Sequence, residues 1–139
     1  KFLLAEAAAR GFAGGDAKAL YEAAMYANSD YLGSDSASMS KYISEKGAFD
    51  PSNAIKSIAV QKWASMNNLQ PVESWIETRR FDNASNPFFT SPGGLFAVPT
   101  ENVLGGNKFP SILFYPETEQ SLNKNFVAQH SLTDKVFWD

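Results

Sequence analysis

Cysteine is absent from the 139 residues. That excludes a disulfide framework, a zinc–thiolate site and a thiol nucleophile within this chain. Histidine occurs once, at His130. A metal centre would need that ring plus carboxylates converging from distant segments, and a Ser-His-Asp triad would have to use the same ring. No Gly-x-Ser-x-Gly elbow precedes it, so the plain reading of His130 is a surface side chain. Long apolar runs are also missing: nothing approaches the roughly 18 residues of a membrane span, and no basic-then-apolar leader is visible. Charge of one sign is scarce, since the net charge is −3 and only 19% of residues are charged. Acids and bases are interspersed, which argues against a nucleic-acid surface, where a concentrated basic patch is required.

What is present is a globular composition. Apolar residues make up 44% of the chain, and its length suits one domain with a real core. Aromatics reach 14%, with eleven Phe, enough either to fill a core or to line a binding surface. The glycines at 11, 14 and 15 lack the Gly-Lys-Ser/Thr of a phosphate loop and follow no strand, so they are turn residues. Carboxylate pairs such as Glu73 with Glu77 and Glu117 with Glu119 are too common to signal a glycosidase, which needs two carboxyls across a sugar at about 5–10 Å. Glu77 with Arg80, three residues apart, is read as an intrahelical ion pair. Asn83-Ala84-Ser85 matches a glycosylation sequon, a pattern short enough to arise by chance.

The chain divides into a helical part, 1–81, and a loop-rich tail, 82–139. Residues 2–10 are strong helix formers stopped by Gly11. Asp16 caps a second helix running to about Tyr31, with Leu20, Ala24, Ala27 and Tyr31 on one stripe. Together they read as an antiparallel helical hairpin. A shorter helix spans about 37–45. Asp50-Pro51 starts another, whose face carries Ile55, Ile58, Ala59, Trp63 and Met66 and which ends near Met66. The centre of the organisation is the stretch 61–80, where this helix meets the next across a turn at Asn67, Asn68 and Leu69. Pro71 opens the last helix, with Val72, Trp75, Ile76 and Arg79 at i, i+3, i+4 and i+7. From Asp82 to Pro116 five prolines and four glycines disfavour helix. Residues 95–98 and 111–115 are short apolar runs expected to be β-like or extended, and 117–125 is expected to form a helical turn. So long a loop-rich stretch is unusual in a compact domain unless it is functional or drapes over another part of the protein.

Four stretches read together resemble one family. They are AEAAARGFAGGDAKALYEAAM from Ala5 to Met25, Gln61-Lys62-Trp63, Trp75-x-Glu77-x-Arg79-Arg80, and Phe109-Pro110 through Leu113-x-Tyr115-Pro116 with Glu119, Asn123 and the closing KVFWD. In this order the chain is similar to the C-terminal part of SusD/RagB-family proteins, the outer-membrane nutrient-binding lipoproteins of Bacteroidetes. It departs from the family pattern in having Ser111 and Ile112 after Pro110, where an arginine is usual, and Phe137-Trp138 in place of a tryptophan pair. The resemblance implies a mainly α fold of tetratricopeptide-like antiparallel helix pairs, followed by a loop-rich tail with little β. It implies a non-enzymatic surface protein that binds glycans, or peptides in some members, and delivers them to a SusC-like TonB-dependent transporter. No cofactor, metal or nucleic acid is implied. The chain opens inside a helix with no capping residue ahead of it. It is therefore expected to be a piece of a longer protein, with the lipid anchor and the rest of the fold upstream.

Residue expectations follow. Trp63 and Trp75 are core beneath the scaffold. Gln61, Lys62, Glu77, Arg79 and Arg80 hold the helices to the tail by hydrogen bonds, and Tyr115 and Trp138 anchor that tail. Ligand contact is assigned to the loop aromatics Phe88, Phe89 and Phe96, against the alternative that they pack on the N-terminal region expected upstream. No residue is assigned a catalytic or metal-binding role. The competing functional class is a helical-repeat scaffold for a protein partner.

Overall fold

The structure, a computed structural model, describes residues 1–81, 89, 94–105, 108–127 and 131–134. Its helices are α1 (Phe2–Ala9), α2 (Ala17–Tyr31), α3 (Ser36–Glu45), α4 (Ala54–Met66), α5 (Pro71–Phe81) and α6 (Glu117–Leu122), with a 3-10 turn at Pro51–Asn53 ahead of α4. Among the described residues there is no strand, so the fold is mainly α, as expected. The apolar runs at 95–98 and 111–115 are irregular rather than paired. The chain forms two compact units, Lys1–Thr78 and Arg79–Asp139.

Helix boundaries in the first unit are local events. α1 ends where Gly11 takes φ +75°, with the Gly11 N–H donating to Ala8 and the Phe12 N–H to Ala7; the pattern is a Schellman cap, which satisfies carbonyls left over at a helix end. Gly33, at φ +73°, closes α2 in the same way. The carboxylates of Asp16 and Asp35 accept from the N–H groups of Lys18 and Ser38, capping α2 and α3. Asp50 accepts from the Ser52 N–H with Pro51 beside it.

α2 lies at the centre, packed against α1, α3 and α4. Its buried residues are Tyr21, Ala24, Met25 and Ser29. The expected stripe is therefore rotated: Leu20 and Ala27 are half-buried and Tyr31 is exposed, because α2 is covered from three sides. Ala5, Tyr21, Met25 and Ile58 form the core cluster. Tyr21 is its hub, with Phe2 edge-on at 6.2 Å and Phe49 tilted at 5.3 Å between ring centroids. Its hydroxyl donates to the Gly47 carbonyl at 2.8 Å, so the one polar atom of a buried ring is satisfied. On α4 the buried residues are Ile58, Ala59 and Lys62, while Trp63 is half-buried.

α5 departs most from its apolar pattern. Val72 and Ile76 are exposed, whereas Ser74 and Thr78 are buried and Glu77 is largely covered. Ser74, Glu77, Thr78 and Phe81 fall at i, i+3, i+4 and i+7, so they too make one helical face. That face turns inward because Glu77 reaches Lys62 of α4. Thr78 contributes no stranded hydroxyl, since its Oγ1 donates to the Trp75 carbonyl at 2.7 Å.

In the second unit Phe96 sits between Phe89 and Phe109, at centroid separations of 5.3 and 6.2 Å, and the Phe96 N–H donates to the Phe89 carbonyl. The N–H groups of Ser111 and Ile112 both donate to the Leu132 carbonyl. α6, Glu117–Leu122, is shorter than the span expected.

Candidate functional site

The joint between α4 and α5 is built on an ion pair. Lys62 Nζ lies 2.8 Å from a Glu77 carboxylate oxygen, with side chains only 10% and 16% exposed. The chain turns between the two helices through Asn68, a non-glycine residue at φ +63°, a conformation asparagine tolerates better than most residues. Trp63 and Trp75 stand beside Lys62 and Glu77 in sequence and are both half-buried. The neighbouring Gln61 Nε2 donates to the Tyr42 hydroxyl of α3 at 2.9 Å. Gln61 and Lys62 thus tie helix to helix. Within the second unit, Arg79 Nε donates to the Ser111 carbonyl at 3.2 Å, and the Arg80 guanidinium lies 4.2 Å from the Phe81 ring centre, within cation–π range.

The assigned ligand aromatics separate. Phe89 is fully buried, so its ring faces are occupied by protein. Phe96 is half-buried, its ring tilted against that of Phe89. Tyr115 is half-exposed, edge-on to Phe126 at 5.7 Å, and its carbonyl accepts from Gln120 Nε2. Phe88, Trp138, His130 and the Asn83 sequon lie outside the described residues. Among the described residues, no three His, Cys, Asp or Glu side chains are placed to hold a metal ion. No described helix is long and apolar enough to cross a membrane.

Sequence reasoning missed a cleft of about 270 Å³ at the start of α4, lined by residues that include Lys46, Asp50, Asn53, Lys56, Ser57 and Gln61. Tyr21 also lines it, and burial chiefly, with Tyr42 and Glu22 nearby, pushes its phenol up to about 12, so it stays protonated. Asp50 is held below the ordinary carboxylate range, first by the Asn53 side chain and then by the Ser52 N–H. The only sequence signal for the cleft was the Lys46-Gly47 break before Asp50-Pro51, which fixes the connection that walls it. A second, more apolar hollow of about 220 Å³ is lined by residues that include Phe2, Met25, Met39 and Tyr42, and Gln61 borders both.

Comparison with curated proteins and with solved structures gives no match. Comparison with family models does. Residues 1–91 match a SusD-like family described as starch-binding, associating with the outer membrane. The matched span contains the Ala5–Met25, Gln61–Trp63 and Trp75–Arg80 motifs together with α1 to α5. Because the match covers well over half of the chain, the protein belongs to the SusD-like family of starch-binding proteins that associate with the outer membrane.

Proposed function

We propose that this protein captures glycans at the cell surface and hands them to a TonB-dependent transporter of the outer membrane, without chemically altering them. The observation that carries this reading is the family match over residues 1–91, the span that builds the helical scaffold. On this reading a lipid anchor belonging to the full-length protein holds it at the membrane, and a SusC-like transporter is its partner. Half-buried Phe96 supplies a ring for stacking on the apolar face of a sugar, with Phe89 and Phe109 packed against it at 5.3 and 6.2 Å. The joint of Lys62 and Glu77 and the aromatic packing keep the scaffold rigid, so little freedom is lost when a ligand settles.

Native gel electrophoresis through immobilised starch tests the reading. The intact protein is expected to be retarded relative to a starch-free gel, and Phe96→Ala to run faster than wild type in the starch gel. Unretarded migration in starch and in a panel of other polysaccharides, with binding to peptides instead, would overturn it.

A further inference from the structure

The cleft at the start of α4 has an unusual balance of charge for a protein of net charge −3. Lys46 and Lys56 line it, and among the described residues neither ammonium lies within ion-pair distance of a carboxylate. Asp50 is the acid of the cleft, but both its oxygens are engaged: Oδ1 accepts from the Ser52 N–H at 2.9 Å and Oδ2 from Asn53 Nδ2 at 2.8 Å. Asp50 keeps its negative charge as the cap of the Pro51–Asn53 turn, so the lining carries two lysines against one carboxylate. Hydrogen-bonding groups remain for a ligand. Ser57 Oγ accepts from the Asp50 N–H and keeps its own proton to donate. Gln61 commits its amide nitrogen to Tyr42 and keeps its carbonyl oxygen to accept. The volume, about 270 Å³, lies just under the range of about 300–1,000 Å³ that encloses drug-sized ligands. It suits one sugar ring rather than a stretch of polymer.

We infer that this cleft is a subsite for an acidic sugar, with Lys46 and Lys56 gripping the carboxylate of a uronic-acid unit while Ser57 and Gln61 meet its ring hydroxyls. The inference rests on the glycan-capture reading and sharpens it: the protein takes glycans bearing uronate units, beyond the neutral glucans of its family description. Two lysines line one small cleft, and charge-assisted hydrogen bonds to a carboxylate are roughly twice as strong as neutral ones.

The test is titration calorimetry of the intact protein with three probes: tri-galacturonate, maltotriose, and a short peptide with a free C-terminal carboxylate. The comparison protein is Lys46→Gln/Lys56→Gln, both positions being exposed, with helicity by circular dichroism as the folding control. Tri-galacturonate is expected to bind, to weaken about tenfold or more in the double variant, and to weaken as salt is raised. Maltotriose binding is expected to be the same in both proteins. Maltotriose binding with no response to tri-galacturonate would overturn the subsite and leave glycan capture standing. Tri-galacturonate affinity that ignores both lysines would place the acid elsewhere and overturn the subsite as well. Peptide binding lost in the double variant, with neither sugar bound, would overturn both readings.

Discussion

The Lys62–Glu77 pair allows the sharpest test of how the helical scaffold is held. Its 2.8 Å contact joins α4 to α5 with 10% and 16% of the side chains exposed. Replacing Glu77 with Leu leaves the Lys62 ammonium buried without that carboxylate. Breaking a fully buried pair from one side costs about 3–5 kcal/mol. Here the lysine stem is long enough to lift its head toward water, so the lower end applies, about 3 kcal/mol. With a urea slope of about 1–3 kcal/mol/M for a protein this size, the unfolding midpoint drops by about 1–3 M. The double replacement Lys62→Met/Glu77→Leu removes both charges and should recover most of that loss. Trp63 and Trp75 stand beside Lys62 and Glu77 in sequence, one on each helix, so fluorescence in a Trp138→Phe background follows the joint itself. If Glu77→Leu moves the midpoint by less than about 0.3 M, the pair is worth no more than an exposed one, and the reasoning about the joint is wrong.

Further outcomes follow from the same packing. Ile58 is fully buried, so Ile58→Ala should lower stability by about 2–5 kcal/mol in urea unfolding. A Cβ at Gly47 would meet Met25 Cε and Tyr42 Cε1, both at 2.7 Å; Gly47→Ala should therefore destabilise by about 1–3 kcal/mol through overpacking, read as a lowered melting temperature. Tyr21→Phe strands the Gly47 carbonyl and should cost about 1–3 kcal/mol. Asp35 is held below the usual carboxylate range, mainly by the Ser38 hydroxyl, and Asp50 mainly by Asn53. A depressed folded-state value means their stabilisation is fully present above about pH 4 and is lost as pH falls through the lowered values. The Asp35→Asn/Asp50→Asn variant should thus show a shallower fall in stability between about pH 5 and 2, measured by urea midpoints across that window.

The helix ends were legible because they depend on neighbours in sequence. Asp16, Asp50 with Pro51, and Gly11 each act within one turn, and each stands where its residue type requires. Which face is buried was less legible. On α5 the apolar residues Val72 and Ile76 outweigh Ser74 and Thr78 by hydrophobicity, yet the ion pair from Lys62, fifteen residues away, turns the polar face inward. On α2 the rotation away from Tyr31 is set by α1, α3 and α4 together. The cleft was illegible for the same reason: Lys46 and Lys56 belong to different segments and line one space because the connection after α3 folds beside the first turns of α4.

The central claim, that this helical scaffold holds a glycan and does no chemistry on it, is tested most directly by calorimetry with maltoheptaose followed by chromatography of the recovered sugar. Saturable binding with maltoheptaose returned intact after prolonged incubation is the expected result. Shortened oligosaccharides, or the absence of heat with every glycan tried, would contradict it.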